Sequence, residues 1–583
     1  MGAHSVTPAV DHLEPSLEAA CRRWPNRPAL TFRGSTMSYA ELWARVENLA
    51  RAYVSLGVVP GDRIVCQLRD CPEHVVAINA AWACGAIHVG TDNDLTGAEL
   101  SWLVDRTEAK VLVFQPPAAS PDPTAALQAV REARPATTLV VHEPANEWGV
   151  DGVDGALPLA GLLADGALGS PFAPRYRDRH ETGLLLLTSG TTGRPKAVME
   201  TLPACWAKMQ FFADAFRPGP DDVHLLYLPM AHVFGLRLSQ LALLSGGRVV
   251  LLDRFSPGEA LRLVAQEHVT VLPGMPTHLT LLLGALDGSG ASARPEGMSR
   301  PAPRSEGRSG PGAHDVSSLR WAVTAASTLP RDLAERIYDR LGTEILYVYG
   351  CSENFTTQTT DRADILDGSV GSTVFAGPEG EPPDGTVRVV DPQDHAPVPI
   401  GEAGEIAFGA RRPVHYWRAP DSATDGWYYT GDLGRIDPDG RLYVLGRLKE
   451  LVNRGGLKVS PSEIESAIAH HPAVRDAAVV GTPDPVLGEA ICACIVVDGG
   501  RRPALTELRE YLALSLARHK LPDELAAVDR IPRTKIGKVD RPALVAMVAA
   551  AGGPDERLRP PVPGPEPPPE REVGPAARQA EAR

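Results

Sequence analysis

The stretch LLLLTSGTTGRPKAVMET (184–201) joins a run of apolar residues directly to a loop of glycines and hydroxyl side chains. The apolar run predicts a buried strand, since strands covered on both faces are continuously hydrophobic. Glycines let the backbone turn tightly and approach a phosphate closely, while hydroxyls and backbone amides donate hydrogen bonds to phosphate oxygens. The stretch therefore predicts a phosphate-binding loop after a strand. The alternative is a Gly/Thr-rich hairpin turn without a ligand.

This loop differs from a Walker A loop, in which a lysine directly follows a glycine and precedes Ser or Thr. Here Arg194 and Pro195 come before Lys196, and Ala197 follows it. A kinase or P-loop ATPase is therefore disfavoured. The candidate phosphate-binding residues are Thr188, Ser189, Gly190, Thr191, Thr192, Gly193 and Lys196.

Helix-like and strand-like segments alternate over the first several hundred residues, which is typical of a parallel sheet wrapped by helices in an α/β fold. Ser38 and Glu41 have the spacing of a capping box ahead of an amphipathic helix. Short apolar runs predict buried strands at 62–68, 110–114, 137–141, 248–252 and 344–350.

The composition changes near residue 446, where strand and turn signals give way to a compact segment. A helix start is predicted there, with Ser460 as N-cap, Pro461 at the first helical position and Glu463 completing a capping box. We therefore expect a large domain over 1–446 and a small domain over 447–548.

Two segments have the composition of unfolded chain. Residues from about 287 to 316 are rich in Gly, Ser, Pro and Arg, and they predict a disordered insertion in the large domain. Residues 549–583 predict a Pro-rich disordered tail.

The bulk properties exclude several classes of protein. A chain of 583 residues is too long to fold around one hydrophobic core, so we expect more than one domain. A net charge of −14 disfavours binding to nucleic acid or to an acidic membrane. There is no signal peptide pattern, and no apolar run is long enough to span a bilayer. The eight cysteines have neither metal-site spacing nor the pattern of a disulfide framework, so we expect reduced thiols and a cytoplasmic location.

The loop at 188–196 resembles the signature of the adenylate-forming superfamily, which includes acyl-CoA synthetases, aryl-acid ligases, nonribosomal-peptide adenylation domains and beetle luciferases. Six further segments resemble the family's motifs in the family's order: LPMAHVFG (228–235), TAASTLP (324–330), YGCSE (349–353), YTGDLG (429–434), GRLKELVNRGGLKVSPSEIE (446–465) and RTKIGKVDR (533–541). The resemblance covers approximately residues 10–548. It implies a large domain of doubly wound subdomains plus a distorted β-barrel, followed by a small mobile α+β domain.

The resemblance also implies the chemistry. A carboxylate attacks the α-phosphorus of ATP and expels pyrophosphate, so two anions must be brought together by cations. Lys538 would bridge the carboxylate and the α-phosphate, and Glu353 would bind the Mg²⁺ on the phosphates. Tyr349 would stack on adenine, and Asp432 and Arg447 would hold the ribose.

Further roles follow from the same resemblance. Lys449 occupies the hinge position, about which the small domain would rotate to bring the Gly455–Gly456 strand to the thiol acceptor. His232 is a candidate gate, and with Thr188 it joins Lys538 and Glu353 as a catalytic candidate. The expected acyl pocket is lined by His232, Val233, Phe234, Gly235, Met275 and Ser327.

The sequence departs from the family pattern at Ala325 and Ala326, which replace a usual glycine pair. If the backbone path is unchanged, the two methyl groups leave less room and favour a small or flat substrate. An amino acid is disfavoured, because Val233 and Phe234 stand where an amine-binding Asp is expected.

These features predict an AMP-forming acid–thiol ligase that uses ATP, Mg²⁺ and coenzyme A on a small aryl or short- to medium-chain acid. Two alternatives stay open: an aryl-acid adenylating enzyme that loads a free-standing carrier protein, and a member that delivers the activated acid to a nitrogen nucleophile. A catalytically dead nucleotide-binding scaffold would lack Lys538, Glu353 or Asp432, and all three are present.

Overall fold

The computed structural model describes the ranges 13–93, 95–116, 123–142, 155–164, 172–176, 181–188, 196–287, 314–353, 355–372, 386–409, 414–420, 426–497, 501–534 and 538–557. The core of the glycine-rich loop, most of the expected insertion and residues 558–583 of the expected tail lie outside these ranges. In the described part of the chain, no helix is both long and apolar enough to cross a membrane.

The chain divides into two compact units. The first comprises residues 1–449 together with Arg533–Lys538, and the second comprises residues 450–532 and 539–583.

The strands of the described residues are, in chain order, β1 (Pro28–Phe32), β2 (Ser35–Ser38), β3 (Arg63–Gln67), β4 (Ile87–Gly90), β5 (Ala109–Phe114), β6 (Thr138–Val141), β7 (Leu157–Pro158), β8 (Thr182–Thr188), β9 (Lys196–Thr201), β10 (Val223–Leu226), β11 (Arg248–Leu251), β12 (Val271–Pro273), β13 (Trp321–Thr324), β14 (Glu344–Gly350), β15 (Phe355–Thr359), β16 (Val387–Val390), β17 (Gly404–Gly409), β18 (Trp427–Ile436), β19 (Leu442–Arg447), β20 (Val452–Arg454), β21 (Leu457–Val459), β22 (Val474–Asp484), β23 (Gly488–Val497), β24 (Glu524–Ala527) and β25 (Glu556–Arg557).

The α-helices are α1 (Leu17–Arg23), α2 (Tyr39–Ser55), α3 (Pro72–Ala83), α4 (Gly97–Thr107), α5 (Pro123–Ala133), α6 (Leu159–Leu163), α7 (Leu202–Phe216), α8 (Val233–Leu244), α9 (Pro257–Glu267), α10 (Pro276–Leu286), α11 (Arg331–Leu341), α12 (Arg362–Asp367), α13 (Pro461–Ala469), α14 (Leu505–Leu512) and α15 (Arg541–Ala550). Short 3₁₀ helices cover Leu448–Glu450 and Arg518–Lys520.

Two large sheets form the framework of the first unit. One has the order β15-β14-β13-β12-β10-β11-β1-β2, and the other has the order β7-β6-β5-β3-β4-β8-β9. Pairing is parallel except at the edges, where β2, β9 and β15 run antiparallel to their neighbours. Parallel strands align their carboxyl ends, so side chains that follow these strands collect at one edge of each sheet.

The strands expected from the apolar runs are confirmed as β3, β5, β6, β11 and β14. The helix expected after Ser38 is α2, and its capping box is present in both directions. Ser460 and Pro461 take the expected N-cap and first positions of α13, but the Ser460 hydroxyl does not cap the helix. Glu463 instead pairs with Lys520 Nζ at 2.6 Å, so a partner distant in sequence replaces the local cap.

The mixed α/β class is confirmed, but an open sheet is observed where the distorted β-barrel was expected. In the first unit, β16-β17-β18-β19 form an open four-stranded antiparallel meander, and no barrel closes among the described residues. Each strand pairs with its neighbour in sequence, so β16 and β19 remain at the two edges of this sheet.

The second unit contains the sheet β21-β20-β23-β24-β25, and β22 also pairs with β23. Cys492 and Cys494 are both buried on β23, and as alternate residues of one strand they share a face of the sheet. Residues 549–557, which we expected in the tail, instead end α15 and form β25. The Ala527 amide donates to Asp555 Oδ2 at 2.6 Å, which anchors this segment.

Candidate active site

The ends of the glycine-rich loop are held by a hairpin. Strand β8 pairs antiparallel with β9, and Thr188 stands directly opposite Lys196. The Thr188 hydroxyl donates to the Lys196 carbonyl at 3.4 Å. Ser189, Gly190, Thr191, Thr192 and Gly193 lie outside the described residues. The structure therefore gives the two ends of the predicted phosphate loop.

Asp432 is the centre of a second group of predicted residues. Its carboxylate is nearly buried and accepts a hydrogen bond from the Tyr349 hydroxyl at 2.8 Å. Arg447 Nε lies 2.9 Å from the other carboxylate oxygen, because Asp432 and Arg447 are paired across β18 and β19. Burial and then the Asp432 charge raise the pKa of Tyr349 well above its usual value. The side chains of Tyr349 and Arg447, which belong to two other strands, thus both contact the carboxylate of Asp432.

Glu353 is held at both its side chain and its main chain. Its Oε1 accepts a hydrogen bond from the Tyr416 hydroxyl at 3.0 Å. Its carbonyl accepts a hydrogen bond from Lys208 Nζ, also at 3.0 Å. Lys196 Nζ lies 5.1 Å from the centre of the Tyr416 ring, so the end of the glycine-rich loop and Glu353 share one aromatic neighbour.

Behind Glu353 lies a buried ion-pair group. Arg237, fully buried on α8, contacts both oxygens of Glu200 at 2.8 and 2.9 Å. Lys208 on α7 lies 2.6 Å from the same carboxylate. Burial pushes the pKa of Glu200 upward, but the two cations outweigh this effect and the pKa lies below its usual value. The charged carboxylate therefore joins β9, α7 and α8.

Aromatic rings connect the Asp432 group with the Glu353 group. The Tyr349 ring meets Phe408 edge-on at 6.0 Å, and Phe408 stacks with Tyr428 at 6.2 Å. Burial raises the pKa of Tyr428, and the nearby Cys351 and Glu353 add to this effect. The two groups thus form one continuous site on the first unit.

His232 is the N-cap residue of α8, and its Nε2 lies 3.1 Å from Asp92 Oδ1. The segment before it is fixed by Asp70, whose carboxylate accepts a hydrogen bond from the Met230 amide at 2.9 Å. Burial raises the pKa of Asp70 to about 7, although the Met230 amide acts in the opposite direction. Carboxylates from the loops after β3 and β4 therefore position the predicted gate.

The other predicted acyl-pocket residues follow strands of the eight-stranded sheet. Val233 and Phe234 are half-buried in the first turn of α8, and the Phe234 ring lies 6.4 Å from Phe212. Only glycine fits at position 235 without a steric clash, because a Cβ there would lie 2.3 Å from the Leu228 carbonyl oxygen. Met275 is the buried N-cap of α10, and Ser327 is exposed after β13.

Ala326 keeps a backbone conformation that favours glycine. Its φ is +74°, in the left-handed region, which costs a residue with a Cβ roughly 1–2 kcal/mol. Ala325 is buried at 5% exposure and has no positive φ, so only the second of the two alanines is strained. The chain thus follows a glycine-type path here while carrying an extra methyl group.

Three further predicted residues belong to other segments. Lys538 is half-buried, its carbonyl accepts a hydrogen bond from the Thr534 amide at 2.7 Å, and it groups with the first unit. Lys449 is exposed in a 3₁₀ helix where the two units divide. Gly455 and Gly456, expected in a strand, form the turn between β20 and β21. Both have positive φ, as a two-residue hairpin turn requires.

Sequence reasoning missed the residues that hold the predicted ones: Glu200, Lys208, Arg237, Tyr416, Asp70 and Asp92. A lysine, an arginine and a glutamate inside otherwise apolar helices and strands were the available signal, because buried charges are almost always paired. Tyr416 gave no signal, since its partner is 63 positions away.

Family models and known proteins match this chain over most of its length. A model described as AMP-binding enzyme matches residues 17–412, and one described as AMP-binding enzyme C-terminal domain matches residues 463–538. The chain is 34% identical to the 2-hydroxy-7-methoxy-5-methyl-1-naphthoate–CoA ligase of Streptomyces carzinostaticus, over 91% of this chain and 92% of the relative. It is 30% identical to the salicyl-AMP ligase / salicyl-S-ArCP synthetase of Mycobacterium tuberculosis, over 93% and 92%. The crystal structure of ATP-bound MatB from Rhodopseudomonas palustris superposes with a TM-score of 0.74 at 28% identity, covering 91% of this chain and 99% of that one.

The strain at residue 326 leads to a stability prediction. Ala326→Gly removes the Cβ from a left-handed residue, and although glycine is more flexible in the unfolded chain, we expect a net stabilisation of about 0.5–1 kcal/mol. Ala325→Gly, at a buried position without positive φ, should destabilise the protein by about 1 kcal/mol. Urea unfolding of the two variants beside the parent checks this, and equal destabilisation by both would contradict it.

The buried ion pairs lead to a second prediction. Arg237→Met leaves Glu200 buried with only Lys208, and should lower the free energy of unfolding by roughly 3 kcal/mol at neutral pH. The pKa of Glu200 lies below its unfolded value, so its ion pairs stabilise the protein above that value and lose this effect as the pH falls through the folded pKa. In Arg237→Met only Lys208 remains to lower the pKa of Glu200, so this loss of stability should begin at a higher pH than in the parent.

Urea unfolding at several pH values measures both effects. Arg262→Met is the matched control, because Arg262 pairs with Glu259 at the surface and should change stability by less than about 1 kcal/mol. An Arg237→Met protein as stable as this control at every pH would show that the buried pairs do not hold the site together.

Proposed function

Because the chain belongs to the AMP-binding enzyme family, we propose that it activates a small aryl acid with ATP and transfers the acyl group to the thiol of coenzyme A. The family follows from the match over residues 17–412, which is more than half of the chain. One relative is named as a ligase that joins a naphthoate to coenzyme A, which supports both parts of the proposal.

The group around Asp432 is the observation that carries this proposal. We assign its carboxylate to the two ribose hydroxyls of ATP, with Arg447 beside the same sugar and Tyr349 against adenine. The contacts of 2.8 and 2.9 Å to Tyr349 and Arg447 fix the carboxylate before any ligand arrives. A preorganised acceptor of this kind loses little side-chain freedom on binding.

Glu353 suits a magnesium ion, because Mg²⁺ prefers hard oxygen ligands and binds through one or two carboxylates together with phosphates. Its hydrogen bonds from Tyr416 and Lys208 fix the carboxylate at one end and the main chain at the other. When bound, the ion would neutralise charge on the phosphates. Thr188, Lys196 and the loop Ser189–Gly193 would donate to the same phosphate oxygens.

In the first half-reaction, an oxygen of the acid attacks the α-phosphorus, and the bond from that phosphorus to the bridging oxygen of pyrophosphate breaks. Two anions meet in this step, and we assign Lys538 to lie between the acid carboxylate and the α-phosphate. A preorganised cation in a water-poor site stabilises this charge strongly, and its removal should cost on the order of a hundred- to a thousand-fold in rate.

In the second half-reaction, a thiolate attacks the acyl carbonyl and AMP leaves with its oxygen. We propose that the small domain, which begins at residue 447, turns about Lys449 between the two steps. The turn at Gly455–Gly456 would then lie beside the arriving thiol, where the absence of side chains permits a close approach.

For the acid, we propose the pocket bounded by His232, Val233, Phe234, Gly235, Met275 and Ser327. Apolar and aromatic side chains of this kind suit a flat ring. Because Ala326 keeps a glycine-type backbone conformation, its methyl group is an addition that would reduce the space beside the ring. We assign His232 as the gate of this pocket, positioned by Asp92 at 3.1 Å.

A carrier protein is the second candidate acceptor. One relative is named both as a salicyl-AMP ligase and as a salicyl-S-ArCP synthetase, which favours this alternative over transfer to nitrogen. All eight cysteines are free thiols, which fits our proposal of a reducing, cytoplasmic location for either reaction.

The central experiment is ATP–pyrophosphate exchange with Mg²⁺ and a panel of aryl, short-chain and medium-chain acids. Exchange with at least one aryl acid is expected, and mass spectrometry with coenzyme A or a carrier protein then identifies the acceptor. Lys538→Ala should lose exchange at least about a hundred-fold while still forming thioester from supplied acyl-adenylate. The proposal fails if no acid supports exchange, or if Lys538→Ala loses both half-reactions equally.

The hydrogen bond from Lys208 to the Glu353 carbonyl leads to a kinetic prediction. Lys208→Met removes the hydrogen bond to the Glu353 carbonyl and should raise the KM for Mg–ATP about ten-fold, since a charged hydrogen bond contributes about 1.5–3 kcal/mol. The KM of the acid should change little. Lys520→Met, which removes a surface pair with Glu463, is the control, and equal kinetics of the two variants would contradict the role of Lys208.

A further inference from the structure

A second group of side chains lies at the carboxyl edge of the seven-stranded sheet. Cys71, Glu73 and His142 each offer one metal-ligand atom, and these atoms all lie within 4.8 Å of one another. Cys71 is buried, while Glu73 and His142 are half-buried. They come from the N-cap of α3, the first turn of α3 and the residue after β6. None of the proposed catalytic residues is among them.

Both chain segments that carry these side chains are fixed to one strand. After β3, the Arg69 amide donates to the side-chain oxygen of Gln115 at 3.0 Å, and the Gln115 amide donates to the Gln67 carbonyl at 2.8 Å. After β6, the His142 amide donates to the Phe114 carbonyl at 2.8 Å. Phe114 and Gln115 are consecutive at the end of β5, so the group is preorganised by regular structure.

Glu73 lies between a base and a cation. One of its oxygens lies 3.8 Å from His142 Nε2, and the other lies 3.7 Å from an Arg45 nitrogen. The arginine therefore faces one oxygen and leaves the other directed to the histidine. Both distances are longer than hydrogen bonds, whereas the side chains of Cys71 and Glu73 are hydrogen-bonded to each other.

We propose that Cys71, Glu73 and His142 bind a zinc ion. A thiolate, an imidazole and a carboxylate are the three side-chain ligands that Zn²⁺ takes in proteins, and together they favour it over Mg²⁺ or Ca²⁺, which prefer oxygen alone. Three protein ligands leave the fourth tetrahedral position to water. On binding, the sulfur–hydrogen bond of Cys71 breaks, a sulfur–zinc bond forms, and one proton passes to solvent.

The site lies at the same sheet edge as the carboxyl end of β8, where the glycine-rich loop begins. In the order β6-β5-β3-β4-β8, one strand (β4) lies between the strand before Cys71 and the strand before that loop, and three strands (β5, β3 and β4) lie between the strand before His142 and the strand before that loop. Zinc at this position would therefore be a separate site from the one that we assign to magnesium. The proposal does not depend on the proposed reaction.

The test uses the full chain, freed of metal and titrated with Zn²⁺ at neutral pH against a chromophoric chelator. One ion per chain is expected, with at least ten-fold weaker binding in His142→Gln and in Glu73→Gln. Titration with Co²⁺ should give the charge-transfer absorption of a cobalt–thiolate bond and the intense visible bands of a tetrahedral ion. Cys71→Ser should remove the charge-transfer absorption.

His268→Gln, at an exposed residue between α9 and β12 of the eight-stranded sheet, is the matched control and should bind zinc as the parent does. Circular dichroism of each metal-free variant checks folding, and Glu73→Gln, at a half-buried position, keeps the test open if Cys71→Ser does not fold. The proposal is overturned if the parent binds no stoichiometric zinc. It is equally overturned if His142→Gln and Glu73→Gln bind zinc like the control, or if bound cobalt shows no thiolate absorption.

Discussion

The carboxylate of Glu200 is the constraint on which the rest of the site depends. Buried beside Arg237 and Lys208, it joins the strand after the glycine-rich loop, the helix whose N-cap residue is His232 and the helix that supports Glu353. A buried charge without its partners is costly, so these three elements have one favourable arrangement. The ends of the glycine-rich loop, the proposed gate and the carboxylate proposed to bind magnesium are therefore positioned together by one group of buried ion pairs.

Much of the fold could be predicted because its determinants are local. The strands at 63–67 and 344–350 are apolar throughout, and the helix after Ser38 carries its own start signal. Errors occurred where a distant partner decides the structure. Residues 549–557 have a tail-like composition, yet Glu556 and Arg557 pair with β24, and Arg557 contacts the buried Glu524. Lys520 likewise takes the carboxylate that was expected to cap α13.

The candidate site divides in the same way. Residues within short motifs, such as Asp432 and Glu353, could be predicted as candidates because each motif carries a recognisable order of residue types. Tyr416, Lys208 and Arg237 hold those residues from other elements, and only the folded chain brings them together. Their contribution is geometric, and a one-dimensional pattern contains no record of which buried lysine faces which carbonyl.

The direct pairing of Thr188 with Lys196 has a consequence for how this protein can change. The hairpin already brings the two ends of the intervening segment together. Strand pairing, rather than ligand binding, therefore offsets the entropic cost of closing that segment. Its length and composition can therefore vary without disturbing either sheet. The affinity for the phosphates that we propose this loop to bind and the integrity of the scaffold then become separately adjustable properties, which natural variation or directed mutagenesis can alter one at a time.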